Sequence, residues 1–252
     1  MTKIICIYNQ KGGVGKTTTV INLASGLGLK GKKTLILDMD PQGNATSGLG
    51  ISVNEVENTI YDFLLGEDIN NLIEETTSKN VYILPSNSEL AGFEIEAVNV
   101  ENREFLLRDK IKNIENFEYI LIDCPPSIGL LSLNALCASD SVLIPIQTEY
   151  YALEGVSQLM QTISMIQKGL NPNLKIEGVL LSMYDGRTKL SLEVLEEVKK
   201  YFKDKVFKTV IPRNVTLAEA PSHGLSIFNY DSSSRGRKAY KRLSNEIIKM
   251  NK

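Results

Sequence analysis

Short runs that are apolar at consecutive positions alternate along this chain with longer stretches whose apolar residues recur at helical spacing. The runs occupy residues 4–8, 34–37, 81–84, 119–122, 142–146, 179–181 and 206–211. Helical spacing covers residues 17–29, 103–114, 153–167, 192–202 and 234–250. A strand that is apolar on both faces is buried on both. When each strand is followed by a helix, the result is a parallel sheet covered on both sides. The expected fold is therefore α/β, a mostly parallel twisted sheet with helices on both faces. No composition break, Pro/Gly/Ser-rich linker or internal repeat divides the 252 residues, 42% of them hydrophobic, so residues 1–252 read as one domain.

Ligands of such sheets bind at the carboxyl ends of the strands. Three runs end in polar groups there: Asn9-Gln10-Lys11, Asp38-Met39-Asp40 and Asp123-Cys124-Pro125.

After the first run comes KGGVGKTTT, Lys11 to Thr19, opening directly into a helix. The common phosphate-loop pattern G-x-x-x-x-G-K-[ST] asks for glycine at position 10, where this chain has Gln10. Gly15-Lys16-Thr17 closes the loop at a helix N-terminus, where backbone N–H groups and the helix dipole favour an anion. Gly12, Gly13 and Gly15 let the backbone come close to phosphate and adopt positive φ. Val14 and Thr18 lie within the same cradle. Lys16 is expected to reach the β- and γ-phosphates and the Thr17 hydroxyl to coordinate Mg²⁺. A dinucleotide-binding fingerprint starting at Gly13 needs glycine or alanine at position 18, which is Thr18.

The run 119–122 ends in Asp123, placed to hold Mg²⁺ through water, because that ion keeps much of its hydration shell. Asp38 and Asp40 are two apart, so in an extended segment both point to the same side. Residues 42–50 contain Gly43, Gly48 and Gly50 and suit a mobile switch loop that senses the γ-phosphate; residues 123–127 suit a second. A guanine-reading N-K-x-D element is missing from the sequence, which favours ATP over GTP.

Charge and cysteines narrow the setting. Twenty-eight basic and 30 acidic residues give −2, so nucleic-acid binding would need a local patch. Cys6, Cys124 and Cys137 form no CxxC pair and read as reduced, buried thiols of a cytoplasmic protein. No apolar run approaches transmembrane length, and the opening residues are too short an apolar run for an export signal. His223 is the single histidine, and no Cys or His stands at zinc-ligand spacing.

KGGVGKTTT resembles the deviant Walker A loop of the ParA/MinD/nitrogenase-iron-protein ATPases. Adding LDMDPQGNATSGLG, LIDCPPS, EYYALEG, YDGRT, IPRNVTLAEAPSHG and SRGRKAY, the chain looks like the chromosomal ParA, or Soj, family from residue 3 to about residue 240. That resemblance implies an ATP-sandwich homodimer in which Lys11 reaches the partner's nucleotide, much as an arginine finger acts in trans. It also implies non-specific binding to double-stranded DNA on the nucleoid, and a ParB-type partner that stimulates hydrolysis. By the same resemblance Asp40 positions the attacking water, Asp38 joins the Mg²⁺ and Lys16 network, and the base sits near Met183, Pro212, Arg213 and Asn214.

Residues 232–252 hold seven basic side chains and one acidic one, Glu246. Lys238, Lys241 and Arg242 fall at i, i+3 and i+4 on one helical face, with Arg235 and Arg237 before them and Lys249 and Lys252 after. A solvated helix face is the plainer reading of such a run. Arg187 matches an arginine implicated in family DNA binding, whereas a second such arginine is expected where this chain has Thr216; Arg213 and the C-terminal basic residues would then carry its part. Tyr150 and Tyr151 read as packing or partner surface. Two competing functions make distinct demands. A MinD-like membrane switch needs a C-terminal amphipathic helix with bulky apolar residues, and this chain has no Phe or Trp beyond Tyr240. An iron-protein-like electron carrier needs exposed cluster-ligating cysteines.

Overall fold

The computed structural model describes residues 2–112, 114–149 and 152–251; Tyr150, Tyr151 and Lys252 therefore lie outside the described residues. Strand β1 (Lys3–Ile7) leads into α1 (Lys16–Gly28) and β2 (Thr34–Asp38). Two short helices follow, α2 (Asn44–Gly48) and α3 (Ile60–Leu65), then β3 (Glu74–Glu75), β4 (Val81–Leu84) and α4 (Leu90–Glu96). The middle of the chain supplies α5 (Leu106–Ile111), β5 (Tyr119–Asp123), α6 (Leu130–Ala138), β6 (Ser141–Gln147), α7 (Ala152–Gly169), β7 (Lys175–Ser182) and α8 (Lys189–Phe202). Three helices remain: α9 (Val215–Glu219), α10 (Ile227–Tyr230) and α11 (Arg235–Met250).

Among the described residues, one seven-stranded sheet forms in the order β3-β4-β2-β5-β1-β6-β7. Every neighbouring pair is parallel except β3 with β4. All five residues of β2 and of β5 are buried, as strands covered on both faces must be. One face packs Leu35, Leu37, Ile120 and Ile122 against Phe93, Leu131 and Ile163. The other packs Ile5, Ile7, Ile36 and Leu121 against α1 and α11 through Val20, Leu23, Leu27, Tyr240, Leu243 and Ile247. The α1–α11 contact is close: a Cβ on Gly26 would fall 2.0 Å from the Ser244 hydroxyl. Pro145 is tolerated in β6 because the pairing with β1 stops at Leu143. Beyond that point the Asn9 side-chain amide donates to the Pro145 carbonyl at 2.8 Å.

The apolar run 206–211 is not a strand, which corrects the expectation. Its N–H groups at Phe207 and Ile211 donate to Val179 and Leu181 of β7, at 3.0 and 2.8 Å. Four residues thus span the length of two, so the segment bulges away. The bulge is held by Glu246 of α11, whose carboxylate accepts from the Lys208 and Thr209 N–H groups at 2.8 and 3.2 Å. The expected helix over 103–114 is shorter, a 3-10 turn (Arg103–Phe105) running into α5. Residues 42–50 are not a bare loop, because α2 occupies most of them. Gly48 and Gly50 serve packing there: Cβ atoms would sit 2.7 Å from Ile21 Cδ1 and 3.2 Å from the Gly224 carbonyl. Among the described residues, no helix is long and apolar enough to cross a membrane.

Candidate active site

The carboxyl ends of β1, β2 and β5 lie side by side, and all three expected polar clusters meet there. The loop from β1 turns through Gly13 (φ 73°) and Gly15 (φ 89°), the left-handed region that glycine enters without strain. Gly15 is the N-cap of α1, so the first-turn N–H groups of a 13-residue helix open onto the loop. Nothing lies within 4 Å of a Cβ placed on Gly12 or Gly13, so this side of the loop is open. Its other side is fastened: Val14 is buried and its carbonyl accepts from Ser182 Oγ at 2.7 Å. Gln10, which replaces the usual glycine, donates to Thr162 Oγ1 on α7 at 2.8 Å.

Lys16 is 7% exposed and its ammonium donates to the Lys11 carbonyl at 3.1 Å. Burial lowers its pKa, opposed by the carboxylates of Asp123 and Asp40. Lys11 by contrast lies on the rim, 42% exposed, with its ammonium paired to Glu149.

Three carboxylates stand at these strand ends in different states, and two of them, Asp123 and Asp40, act on this lysine. Asp38 and Asp123 are register partners at the ends of β2 and β5, both fully buried. Asp38 is satisfied: Oδ2 accepts from the Thr46 N–H and hydroxyl at 2.9 and 2.7 Å, and Oδ1 from the Asp40 N–H at 3.2 Å. Burial nevertheless pushes its pKa up to about 6. Neither oxygen of Asp123 has a well-formed hydrogen bond. Burial, then the charge of Asp38, raises its pKa well above the usual carboxylate range; the Thr17 hydroxyl beside it works the other way. A buried carboxylate without a partner is costly and calls for a cation. Among the described residues, no three His, Cys, Asp or Glu side chains are grouped to hold a metal. A cation here would draw on Thr17, Asp123 and oxygens from water or phosphate, the habit of Mg²⁺. Asp40 is two residues past Asp38 but outside β2, in a turn where its Oδ1 accepts from the Gln42 N–H at 3.0 Å. It lines a cleft of about 430 Å³ together with Gly12, Gly13, Lys16, Thr17 and Thr18; Gln42, Asn44 and Pro126 complete the rim.

A second cavity of about 370 Å³ shares Gly15, Thr18 and Met183 with that cleft. Its walls bring together Met183, Pro212, Arg213 and Asn214 with Ile211, Leu217 and Tyr240. A mostly apolar slot joined to a cleft lined by the glycine loop and Lys16 could take a base and its phosphates. Sequence reasoning missed Ser182 and Tyr240. The first carries the signal used elsewhere, a polar residue ending a strand; the second comes from α11 and carries none.

The expected DNA-contacting residues divide. Arg235, Lys238, Lys241 and Arg242 are exposed on α11, opposite the buried Ala239, Tyr240, Leu243 and Ile247. Arg237 is half-buried, donating to the Ser232 carbonyl at 3.1 Å. Arg187 is exposed but held by Asp185 at 2.9 and 2.7 Å, and these bonds bring the Asp185 pKa down to about 2. Arg213 is exposed at the mouth of the second cavity. Thr216, where an arginine is expected, shares a hydrogen bond with Ser234 Oγ at 2.9 Å. His223 stacks on Tyr230, ring centroids 5.1 Å apart. Cys6, Cys124 and Cys137 are buried free thiols, the first two with sulfurs 3.3 Å apart, so none is an exposed cluster ligand.

Residues 2–176 match the family described as AAA domain. The chain is 57% identical over 249 residues to sporulation initiation inhibitor protein Soj of Bacillus subtilis (strain 168), covering 98% of each chain. It is 53% identical to chromosome partitioning protein ParA of Myxococcus xanthus, covering 98% of this chain and 88% of the relative. Among solved structures, it is similar to cobyrinic acid a,c-diamide synthase from Mycobacterium smegmatis with bound ATP analogue and magnesium. There the TM-score is 0.87 at 33% identity, over 99% of this chain and 95% of that one.

Proposed function

This chain belongs to the ParA/Soj family of chromosome-partitioning ATPases, and from that premise we propose that it is an Mg²⁺-dependent ATPase switch. Its ATP-bound form is a homodimer that binds double-stranded DNA without sequence preference on the nucleoid of the cytoplasm. A ParB-type partner stimulates hydrolysis and so ends binding. Residues 1–252 act as one ATPase domain, because α11 packs back onto α1.

Each part of the site has work in this reading. The first turn of α1 and the open faces of Gly12 and Gly13 receive the phosphates, and Lys16 balances their charge. Thr17 and Asp123 would hold Mg²⁺, which supplies further neutralisation at the β- and γ-phosphates. Asp40 orients the attacking water from the cleft wall, with Asp38 holding the segment from which it projects. Lys11, exposed on the rim, is free to exchange Glu149 for the phosphates of a second copy, since an exposed ion pair is worth only about 0–1 kcal/mol. The slot lined by Met183, Pro212, Arg213 and Asn214 takes the base.

One observation carries the link to DNA: α11 walls the base slot with Tyr240 and presents Lys238, Lys241 and Arg242 to solvent from the same helix. One such face binds phosphate weakly and in a salt-dependent way. Two faces joined in a dimer bind far more tightly with no added interaction at either, so separation of the subunits releases DNA.

Co-sedimentation with arbitrary DNA and, in parallel, with anionic vesicles tests the assignment in ATP and in ADP. ATP-dependent, salt-sensitive pelleting with DNA alone is expected. Pelleting with vesicles but not DNA would replace this reading with a MinD-like membrane switch and leave the ATPase intact.

A further inference from the structure

Helix α2 stands where a mobile loop was expected, and Thr46 at its centre is fully buried. Its hydroxyl works in both directions. It donates to Asp38 Oδ2 at 2.7 Å and accepts from the Ser86 N–H, just past β4, at 2.9 Å. Its own N–H adds a second bond to the same Asp38 oxygen, at 2.9 Å. One side chain therefore ties the end of β2, the helix α2 and the exit from β4.

The turn that carries Asp40 hangs between these ties. Asp40 donates its N–H to Asp38 Oδ1 at 3.2 Å, and the Gly43 N–H donates to the Asp40 carbonyl at 2.9 Å. Gly43 is left-handed (φ 60°), and a Cβ there would stand 2.8 Å from the Ser86 carbonyl. The turn is thus fastened to Asp38 at one end and pressed against residue 86 at the other. Thr46 bonds both anchors while standing outside the lining of the cleft.

We propose that Thr46 is a positioning residue for hydrolysis, acting through Asp38 and the 40–43 turn to hold the Asp40 carboxylate against the phosphate cleft. This rests on the ATPase reading above. Val at position 46 keeps the shape and removes the hydroxyl, leaving Asp38 one hydrogen bond poorer and the Ser86 N–H without its acceptor. Freed from one tie, the turn shifts, and a displacement of about 1 Å at a reacting group costs up to roughly 100-fold in rate.

The test compares wild type with Thr46→Val, Thr46→Ala and Thr46→Ser by steady-state ATPase assay, binding of a fluorescent ATP analogue and thermal unfolding. Val and Ala are expected to lower kcat by roughly 10- to 100-fold with KM and analogue affinity within about threefold of wild type. Ser, which restores the hydroxyl, is expected to restore kcat. Unchanged kcat in Val and Ala overturns the proposal. So does loss of folding or of analogue binding in both while Ser remains active, because Thr46 is then a requirement of the fold. Failure of wild type to hydrolyse ATP refutes the ATPase reading instead, before any variant is compared.

Discussion

Asp123→Asn should make the nucleotide-free protein more stable while removing its response to magnesium. In wild type, Asp123 is fully buried, has no well-formed hydrogen bond and stands in register with a second buried carboxylate, Asp38. Neighbouring strands are about 4.8 Å apart. Two unit charges near 5 Å repel by about 3 kcal/mol at an effective dielectric constant of about 20. A buried polar group left unpaired costs about 1–3 kcal/mol by a separate route. Protonation of Asp123 relieves part of the repulsion, so the two figures bound one effect and do not add. Asparagine removes the charge, keeps the shape and offers Asp38 an N–H donor. A gain of about 1–3 kcal/mol follows, which for a chain of 252 residues is roughly 2–12 °C in Tm. The assay is thermal unfolding with and without Mg²⁺ and a non-hydrolysable ATP analogue. At 100 times its Kd, a ligand specific for the folded state adds about 2.7 kcal/mol. Wild type should show a magnesium-dependent increment of that order, and the variant only what the nucleotide supplies alone. A lower Tm for the nucleotide-free variant, or an undiminished magnesium increment, would refute the reasoning.

Other expectations follow from the same geometry. Lys16→Ala should abolish binding of a fluorescent ATP analogue, whereas Asp40→Ala should retain binding and lose roughly 100-fold or more in turnover; normal turnover in the latter removes Asp40 from its role. Replacing Lys238, Lys241 and Arg242 together by Ala should flatten the dependence of log K for DNA on log salt, by up to about 0.9 for each DNA phosphate no longer neutralised. Anisotropy titrations at several salt concentrations read this, and an unchanged slope places the DNA elsewhere. Glu177→Gln should destabilise the protein by about 1–3 kcal/mol at neutral pH. Burial opposes its charge, but Ser141, Asn251 and Lys3 outweigh that and depress its pKa below 4.5. A depressed folded-state pKa stabilises above the unfolded value and is lost as pH falls through it. Urea denaturation should therefore show wild type and variant converging below pH 4.5, and a gap that persists in acid contradicts the assignment.

The strands were legible because burial on both faces leaves few polar residues in them: 119–122, read as a continuous apolar run, is β5 up to its last residue, Asp123. The phosphate loop was legible because its requirements are local, a strand, glycines at positive φ and a helix N-terminus. The run 206–211 misled because its departure from β7 is set by Glu246, a carboxylate nearly forty residues on. In residues 42–50, glycine signals freedom in the sequence, whereas Gly48 lets α2 approach Ile21 and Gly50 lets the turn after it approach Gly224. Asp38 and Asp40 share a spacing but not an environment. The strand ends between them, so one faces Thr46 and the other the cleft. The slot proposed for the base was suggested only by family resemblance, since Tyr240 enters it from a distant helix.

That distant helix makes the nucleotide site and the basic face parts of one assembly. Tyr240 shares a hydrogen bond with Thr19 of α1 at 3.2 Å, two residues past the Thr17 hydroxyl. Gly236 packs so closely on Leu217 of the slot wall that a Cβ would lie 2.6 Å from its Cγ. Ser234, the N-cap of α11, donates to Asn214 Oδ1 at 3.2 Å and accepts from the Gly236 N–H at 3.1 Å. Thr216 bonds the same serine, which gives this position a use that an arginine's long side chain would not serve. A displacement of Asn214 in the slot wall would therefore pull on the cap of the helix bearing Lys238 and Lys241. Such a path becomes coupling only when both ligands bias it. Within one subunit the contacts running from Asn214 through Ser234 join the slot wall to the helix that carries the exposed basic face.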